Sequence, residues 1–189
     1  MFSPGFFIDQ SSDQSKKEFF SILQQIGKPM IVKKGQVIIR KGSYSSFFFF
    51  VRSGIFKTSI QINDREFVLG FTFEGDVDGC PVSLLSQQRN NFSIESVTDG
   101  TILICELSDF YEHCKASQYY SLVQTILIHY LNILEKRVLD AISLTAEQRY
   151  KFLLEAQPEQ VIQIPLTHIA AYLGISLESL SRIRKKMKV

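Results

Sequence analysis

Between Ile31 and Leu107 the apolar positions come in short β-branched and aromatic runs, at 36–39, 47–52, 55–62, 65–73, 92–97 and 101–107. Gly, Asn-Asp and Asp-Gly steps divide them, which is the pattern of strands joined by turns. Asn63-Asp64 sits between two runs and suggests a hairpin turn, and Asp99-Gly100 suggests another. Many short strands at this spacing imply a sandwich or jelly roll. The block Phe47-Phe48-Phe49-Phe50 does not alternate, so it predicts a strand with helices over one face and aromatics that belong to the core.

On either side of these runs the period is helical. Residues 12–26 carry Phe19, Ile22, Leu23 and Ile26 as a stripe, with Ser12 or Ser15 as cap and Gly27 as the stop. From Ser117 to Ser143 the residues Tyr120, Val123, Leu127, Leu131, Leu134, Val138 and Ala141 advance by threes and fours, and Ile126, Tyr130 and Ile133 make a second stripe. Two stripes need two partners: the β domain, and a twin helix from a second copy, with Leu127, Leu134 and Val138 near a two-fold axis. Beyond Leu144 the pattern predicts a helix over Ala146–Ala156, a break at Pro158 and a link through Ile162-Gln163-Ile164.

The final segment, Ile164 to Val189, carries the most specific pattern. After a polar opening at Thr167, Ile169, Ala170 and Leu173 stand at helical spacing, and Gly174-Ile175-Ser176 fits the turn of a helix-turn-helix. Ser176 can cap a second helix that starts at Leu177. There Leu180 and Ile183 pack inward, while Glu178, Ser179, Arg182, Lys185 and Lys186 face out. Short polar and Arg side chains early, with cations late, suit a helix whose N-terminal part meets base edges. Leu177 to Val189 holds five Lys or Arg against one Glu. No strand pair follows, so a β wing is not expected.

Composition narrows the picture less. The 189 residues are 45% hydrophobic, enough for one good core and a small satellite, and the net charge of +2 is uninformative about partners. No apolar run is long enough to span a bilayer, and Met1–Gly5 does not look like a secretory signal. Cys80, Cys105 and Cys114 fit no Cys-x-x-Cys pattern and point to reduced thiols in a cytoplasmic protein. The chain has no Gly-x-Ser-x-Gly, no P-loop and no His-Glu-x-x-His, so an enzyme is not expected.

The order of parts resembles the Crp/Fnr transcription regulators over nearly the whole chain. Lys34-Gly35 through Lys41-Gly42, Phe50 to Gly54 and Gly75-Asp76 look like the glycine framework of cyclic-nucleotide-binding domains, and Tyr172 to Ser176 with Leu180 to Lys186 is similar to wingless Bacteroidetes-type members. The resemblance implies an α+β chain in three parts: a β-roll (jelly-roll) sensor over 1–116, a dimerisation helix over 117–143 and a helix-turn-helix domain over 144–189. It further implies double-stranded DNA and a second copy as partners, RNA polymerase as another, and no membrane. The implied DNA-contacting residues are Thr167, Glu178, Ser179, Arg182, Lys185 and Lys186, of which Glu178, Ser179 and Arg182 match base-reading positions, and Lys188 lies further along.

The sensor departs from that family. Where cyclic-nucleotide binders place Gly-Glu-Leu and then Arg-Ser/Thr, this chain has Gly79-Cys80-Pro81 and Asn90-Asn91, with Arg89 one position early. The expected effector pocket is therefore Gly79, Cys80, Arg89, Asn90 and Asn91, and its ligand is either an unknown small molecule other than a cyclic nucleotide or none. No cofactor is expected: an iron–sulfur cluster lacks its cysteines, and His113, His129 and His168 are too scattered to argue for haem. Cys80 has no Lys or His beside it to make it a redox thiol. The alternative to a DNA-binding regulator is a ligand-binding or protein-docking β-roll with structural C-terminal helices. An exposed Ser179–Arg182–Lys185 face favours the first, a buried one the second.

Overall fold

The computed structural model describes residues 14–114 and 116–187, without the side chains of 14–18, 116–118, 121, 122, 125, 126 and 129. The expectations placed on Ser12, on the Ser15, Ile126 and His129 side chains and on Lys188 lie outside the described residues. Helix α1 (Gln14–Ile26) leads into eight strands: β1 (Lys28–Val32), β2 (Val37–Ile39), β3 (Phe47–Ser53), β4 (Phe56–Ile62), β5 (Arg65–Thr72), β6 (Val77–Gly79), β7 (Ser93–Ser96) and β8 (Gly100–Glu106). Helix α2 (Pro81–Ser86) interrupts them after β6. Then follow α3 (Leu107–His113), the long α4 (Ala116–Ser143), α5 (Ala146–Ala156), the short α6 (Pro158–Val161), α7 (Leu166–Leu173) and α8 (Leu177–Met187). No helix among the described residues is long and apolar enough to cross a membrane.

The strands form two four-stranded sheets with antiparallel pairings, in the orders β1-β8-β3-β6 and β2-β7-β4-β5. Asn63 and Asp64 both take positive φ, +48° and +60°, and close the β4–β5 hairpin with Ile62 opposite Arg65. Both residues tolerate the left-handed region, and a turn with φ > 0 at both centres matches the twist of its strands. Asp99-Gly100 is not a hairpin, as the local pattern suggested. It carries the chain from β7 in one sheet to β8 in the other, and Asp99 is held there by accepting from the Lys34 N–H at 2.9 Å and from the Lys33 ammonium at 3.0 Å.

The Phe block explains how three layers share a core. Alternate residues of β3 point to opposite sides: Phe49 and Val51 join Val32, Phe56, Ile94 and Ile102 between the sheets, while Phe48 and Phe50 face the helices. On that outer side Phe19 of α1 stacks on Phe48 at 5.9 Å, and Phe110 of α3 meets both edge-on at 5.4 and 5.6 Å. Burying an aromatic of this size contributes about 1.5–3 kcal/mol, so the block anchors α1 and α3 to the roll as well as the roll to itself.

A third cluster joins the roll to the C-terminal helices. Val68 of β5 and the strand-flanking Ile55, Phe73 and Val97 pack with Tyr150, Leu153, Val161, Ile169, Leu173 and Leu180. Helix α5 begins where expected, at a Thr145–Gln148 capping box. Pro158 does not merely break the chain: it stands in the first turn of α6, where its missing N–H costs nothing.

Candidate DNA-binding helix and effector pocket

The last two described helices form the expected helix-turn-helix. Gly174, at φ +71°, ends α7 in the left-handed conformation, and the Ile175 N–H donates back to the Ala170 carbonyl at 3.1 Å. Ser176 Oγ accepts from the Ser179 N–H at 3.2 Å and so caps α8. Leu180 is fully buried and Ile183 half-buried, which turns Glu178, Arg182 and Lys185 to solvent along one face of α8. Ser179 is half-buried beside them, and Thr167 is exposed in the first turn of α7. Glu178 is held below the usual carboxylate range by its own backbone N–H at the helix start, by Ser176 and by Arg182, so its carboxylate is a fixed acceptor on this face. Lys186 departs from the expected set: its ammonium lies 2.8 Å from Glu147 of α5, so in this conformation it bonds within the protein.

The helix-turn-helix is docked on the roll through polar contacts that the sequence did not reveal. Lys57 of β4, nearly buried, reaches Glu66 of β5 at 2.7 Å and His168 of α7 at 3.5 Å, and Glu95 of β7 lies 3.8 Å away. Arg65 donates to the Gly174 carbonyl at 3.3 Å, so the turn itself touches the β4–β5 hairpin. From α4, Arg137 donates to the Val68 carbonyl at 2.7 Å and lies 4.8 Å over the Tyr172 ring. The local hint was a lysine inside the otherwise uncharged β4 run, and its partners are 9, 38 and 111 residues away.

The five residues expected to form an effector pocket are engaged or exposed one by one. Arg89 is exposed, donating to the Gly42 carbonyl at 2.8 Å and lying 4.8 Å over the Tyr44 ring. Asn90 is buried and knits the 40–43 loop, its N–H bonding to the Ser43 carbonyl and its own carbonyl accepting from the Gly42 N–H. Asn91 is exposed, and buried Cys80 sits ahead of α2 with its carbonyl accepting from Leu84. Of the five, only Gly79 lines the cavity beside β6.

That cavity, about 90 Å³, lies between β6, α2, α3 and α4. Phe48, Leu84, Phe110, Val123 and Leu127 give it apolar walls, and Asp78 and Tyr130 give it two polar groups. Burial pushes the Asp78 carboxyl up to about 6, against hydrogen bonds from Thr72, Gly79 and Thr58 that favour the charged form. Burial pushes the Tyr130 phenol up to about 12, with the charges of Asp78 and Cys80 acting the same way. Asp78 was not singled out in the sequence, and Tyr130 stood there only as part of an apolar stripe, since neither belongs to a recognisable motif. No cluster of His, Cys, Asp and Glu among the described residues could hold a metal ion.

Helix α4 divides its apolar residues differently from the two stripes expected. Val123, Leu127 and Tyr130 turn to the cavity, whereas Leu131, Leu134, Val138, Leu139 and Ile142 are exposed, Val138 at 57% and Ile142 at 80%. Leu127, grouped by its period with Leu134 and Val138, is half-buried because it stands where that stripe meets the roll.

Residues 29–117 match the family model described as cyclic nucleotide-binding domain. No curated protein matches the sequence. Among solved structures the chain is similar to FixK2 from Bradyrhizobium japonicum, with a TM-score of 0.74, 20% identity, and 86% of this chain and 85% of that one covered. It is similar also to CLP, a c-di-GMP-responsive global regulator of Xanthomonas campestris, at a TM-score of 0.70, 14% identity, and 91% of each chain. A third similar structure is a transcriptional regulator of the Crp/Fnr family from Eubacterium rectale, at a TM-score of 0.68, 19% identity, 97% of this chain and 86% of that one. Residues 29–117 are therefore similar to the cyclic nucleotide-binding domains, and the chain as a whole has the fold of the Crp/Fnr regulators.

Proposed function

We propose that this protein is a dimeric, sequence-specific DNA-binding transcription regulator of the Crp/Fnr type, whose effector is not a cyclic nucleotide. The observation that carries the reading is the exposed face of α8, where Glu178, Arg182 and Lys185 stand together on a helix capped by Ser176 and anchored by buried Leu180. Arg182 can fork onto guanine O6 and N7, Glu178 can accept from a cytosine amine, and Lys185 reaches toward phosphates. Thr167 and Ser179 supply further polar contacts, and Lys186 joins the phosphate-binding set once its bond to Glu147 is exchanged for the backbone. The exposed stripe on α4 supplies the dimer contact, which sets two such helices against half-sites about one DNA turn apart.

The effector assignment rests on the cavity chemistry. A cyclic nucleotide needs cationic and amide donors around its phosphate and a carboxylate on its ribose, yet Arg89 donates to the Gly42 carbonyl, Asn90 bonds to the 40–43 loop and Cys80 is buried. The apolar cavity with Asp78 and Tyr130 suits a small, largely apolar molecule with one hydrogen-bond donor.

Binding to selected and random DNA over a salt series tests the reading. Arg182→Ala is expected to cost about 1–3 kcal/mol on selected DNA and to relax one base pair per half-site, whereas Lys185→Ala weakens all sequences alike and flattens the salt slope by about one. Equal losses for Arg182→Ala on selected and random DNA would refute base reading by α8.

A further inference from the structure

A second cavity, about 70 Å³, lies between α4, α5 and α7 and is separate from the β-roll cavity. Arg137 and Asp140 come from α4, Arg149 and Phe152 from α5 and Tyr172 from α7. Two guanidinium groups thus flank one small space, and among the described residues neither has a carboxylate within ion-pair distance. Each already uses one N–H on a backbone carbonyl, Arg137 on Val68 at 2.7 Å and Arg149 on Leu173 at 3.0 Å, and Arg137 also bonds to Tyr172. The Nε of Arg149 is buried and has no acceptor. A buried charged donor left open beside a like charge is costly to keep unless something accepts from it. Burial holds Arg137 below its ordinary value against the charge and hydrogen bond of Tyr172, and the nearby Arg149 charge acts in the same direction as burial.

We propose that this cleft is a ligand site for a small organic carboxylate, whose oxygens accept from Arg149 and Arg137 while its apolar body rests against Phe152 and Tyr172. Guanidinium donors match the planar fork of a carboxylate. Asp140 on the lining leaves the three charged side chains with a net charge of only +1, which suits a monoanion and disfavours a phosphate dianion. Bound there, the carboxylate ties α5 and α7 to α4, so the small acid acts on the placement of the helix-turn-helix from outside the β-roll. The site makes no use of the DNA-reading face, and its test involves no DNA, so its failure and that of the proposed function are distinguishable.

Calorimetric titration of the full chain with propionate, with inorganic phosphate and with chloride at matched ionic strength decides it. Saturable propionate binding is expected. Arg149→Gln should weaken it about tenfold or more, and Asp140→Asn should tighten it roughly threefold or more by removing the rim repulsion. Tyr130→Phe, in the other cavity, should leave it unchanged. The proposal is overturned if propionate does not saturate, if chloride gives the same heat, if phosphate binds more tightly, or if Arg149→Gln binds as the parent does. Should Arg149→Gln fail to fold, Asp140→Asn reads the same site with both arginines in place, and unchanged affinity there overturns it equally.

Discussion

Replacing Lys57 by methionine isolates the charge that holds the helix-turn-helix against the β-roll. The Lys57 side chain is 4% exposed, and its ammonium faces Glu66 at 2.7 Å, His168 Nδ1 at 3.5 Å and Glu95 at 3.8 Å. Methionine nearly matches the lysine stem in length, so most of the packing stays and the charge goes. Two carboxylates are then left facing an imidazole with no cation between them. Removing one partner of a buried pair costs about 3–5 kcal/mol. Because Glu66 and Glu95 are 24% and 31% exposed, water offsets part of this, and the cost expected for Lys57→Met is about 2–3 kcal/mol.

The pH dependence gives this prediction its sharper form. Burial by itself would raise the Glu66 carboxyl, but the Lys57 hydrogen bond and charge outweigh it and hold the group below its ordinary 4.5. That stabilisation is present above 4.5 and is lost as pH falls through the depressed folded value. Burial and the Lys57 charge hold the His168 imidazole below its ordinary 6.5, so the parent also loses stability as pH falls from 6.5 toward the folded value. In Lys57→Met, Glu66 and Glu95 pull His168 upward, and a protonated imidazole replaces part of the missing charge. Urea unfolding should therefore show the full penalty at pH 8 and a smaller one at pH 6, with Lys57→Met/Glu66→Gln recovering about half of it. A penalty below about 0.5 kcal/mol at pH 8, or an equal one at pH 6, would refute this account of the interface.

Leu134→Glu places a charge in the exposed stripe of α4 and should give a monomer by light scattering; a dimer of parental size would move the interface elsewhere. Leu180→Ala empties a fully buried position between α8 and its neighbours and should cost about 2–5 kcal/mol in chemical denaturation, with a loss under about 1 kcal/mol contradicting the packing described. Calorimetry with cyclic AMP or cyclic GMP should show no binding at micromolar concentrations, since the ribose and the phosphate would each lack a charged partner worth about 1.5–3 kcal/mol, and micromolar affinity would require Arg89 to leave Gly42 and enter a pocket.

Most elements were legible in the sequence because their signals are local. Short β-branched and aromatic runs marked β2, β3, β4, β5, β7 and β8 to within a residue or two, and Asn63-Asp64 marked its turn. The bounds of α5 and the cap and turn of the helix-turn-helix were legible for the same reason: a Thr145 or Ser176 oxygen and a Gly174 backbone act on residues three or four positions away. Strands β1 and β6 and helices α2 and α3 were not, being short segments whose residues are recruited by partners such as β8 and β3. The exposed face of α8 follows from its own period and needs no tertiary knowledge.

What only the tertiary structure decided is which distant residues meet. Asp99-Gly100 reads locally as a hairpin, and it becomes a crossover because β7 and β8 each find better partners in opposite sheets. Arg89 and Asn90 carry the right chemistry near the right place for an anion, but the carbonyl of Gly42, the ring of Tyr44 and the 40–43 loop take them instead. Asp78 acquires its raised pKa, and Lys57 its three partners, only when strands and helices up to 111 residues apart close around them. Backbone conformation is set by neighbours along the chain, so a sequence displays it; desolvation and charge pairing are set by neighbours in space, and the sequence is silent about those until the fold assembles them.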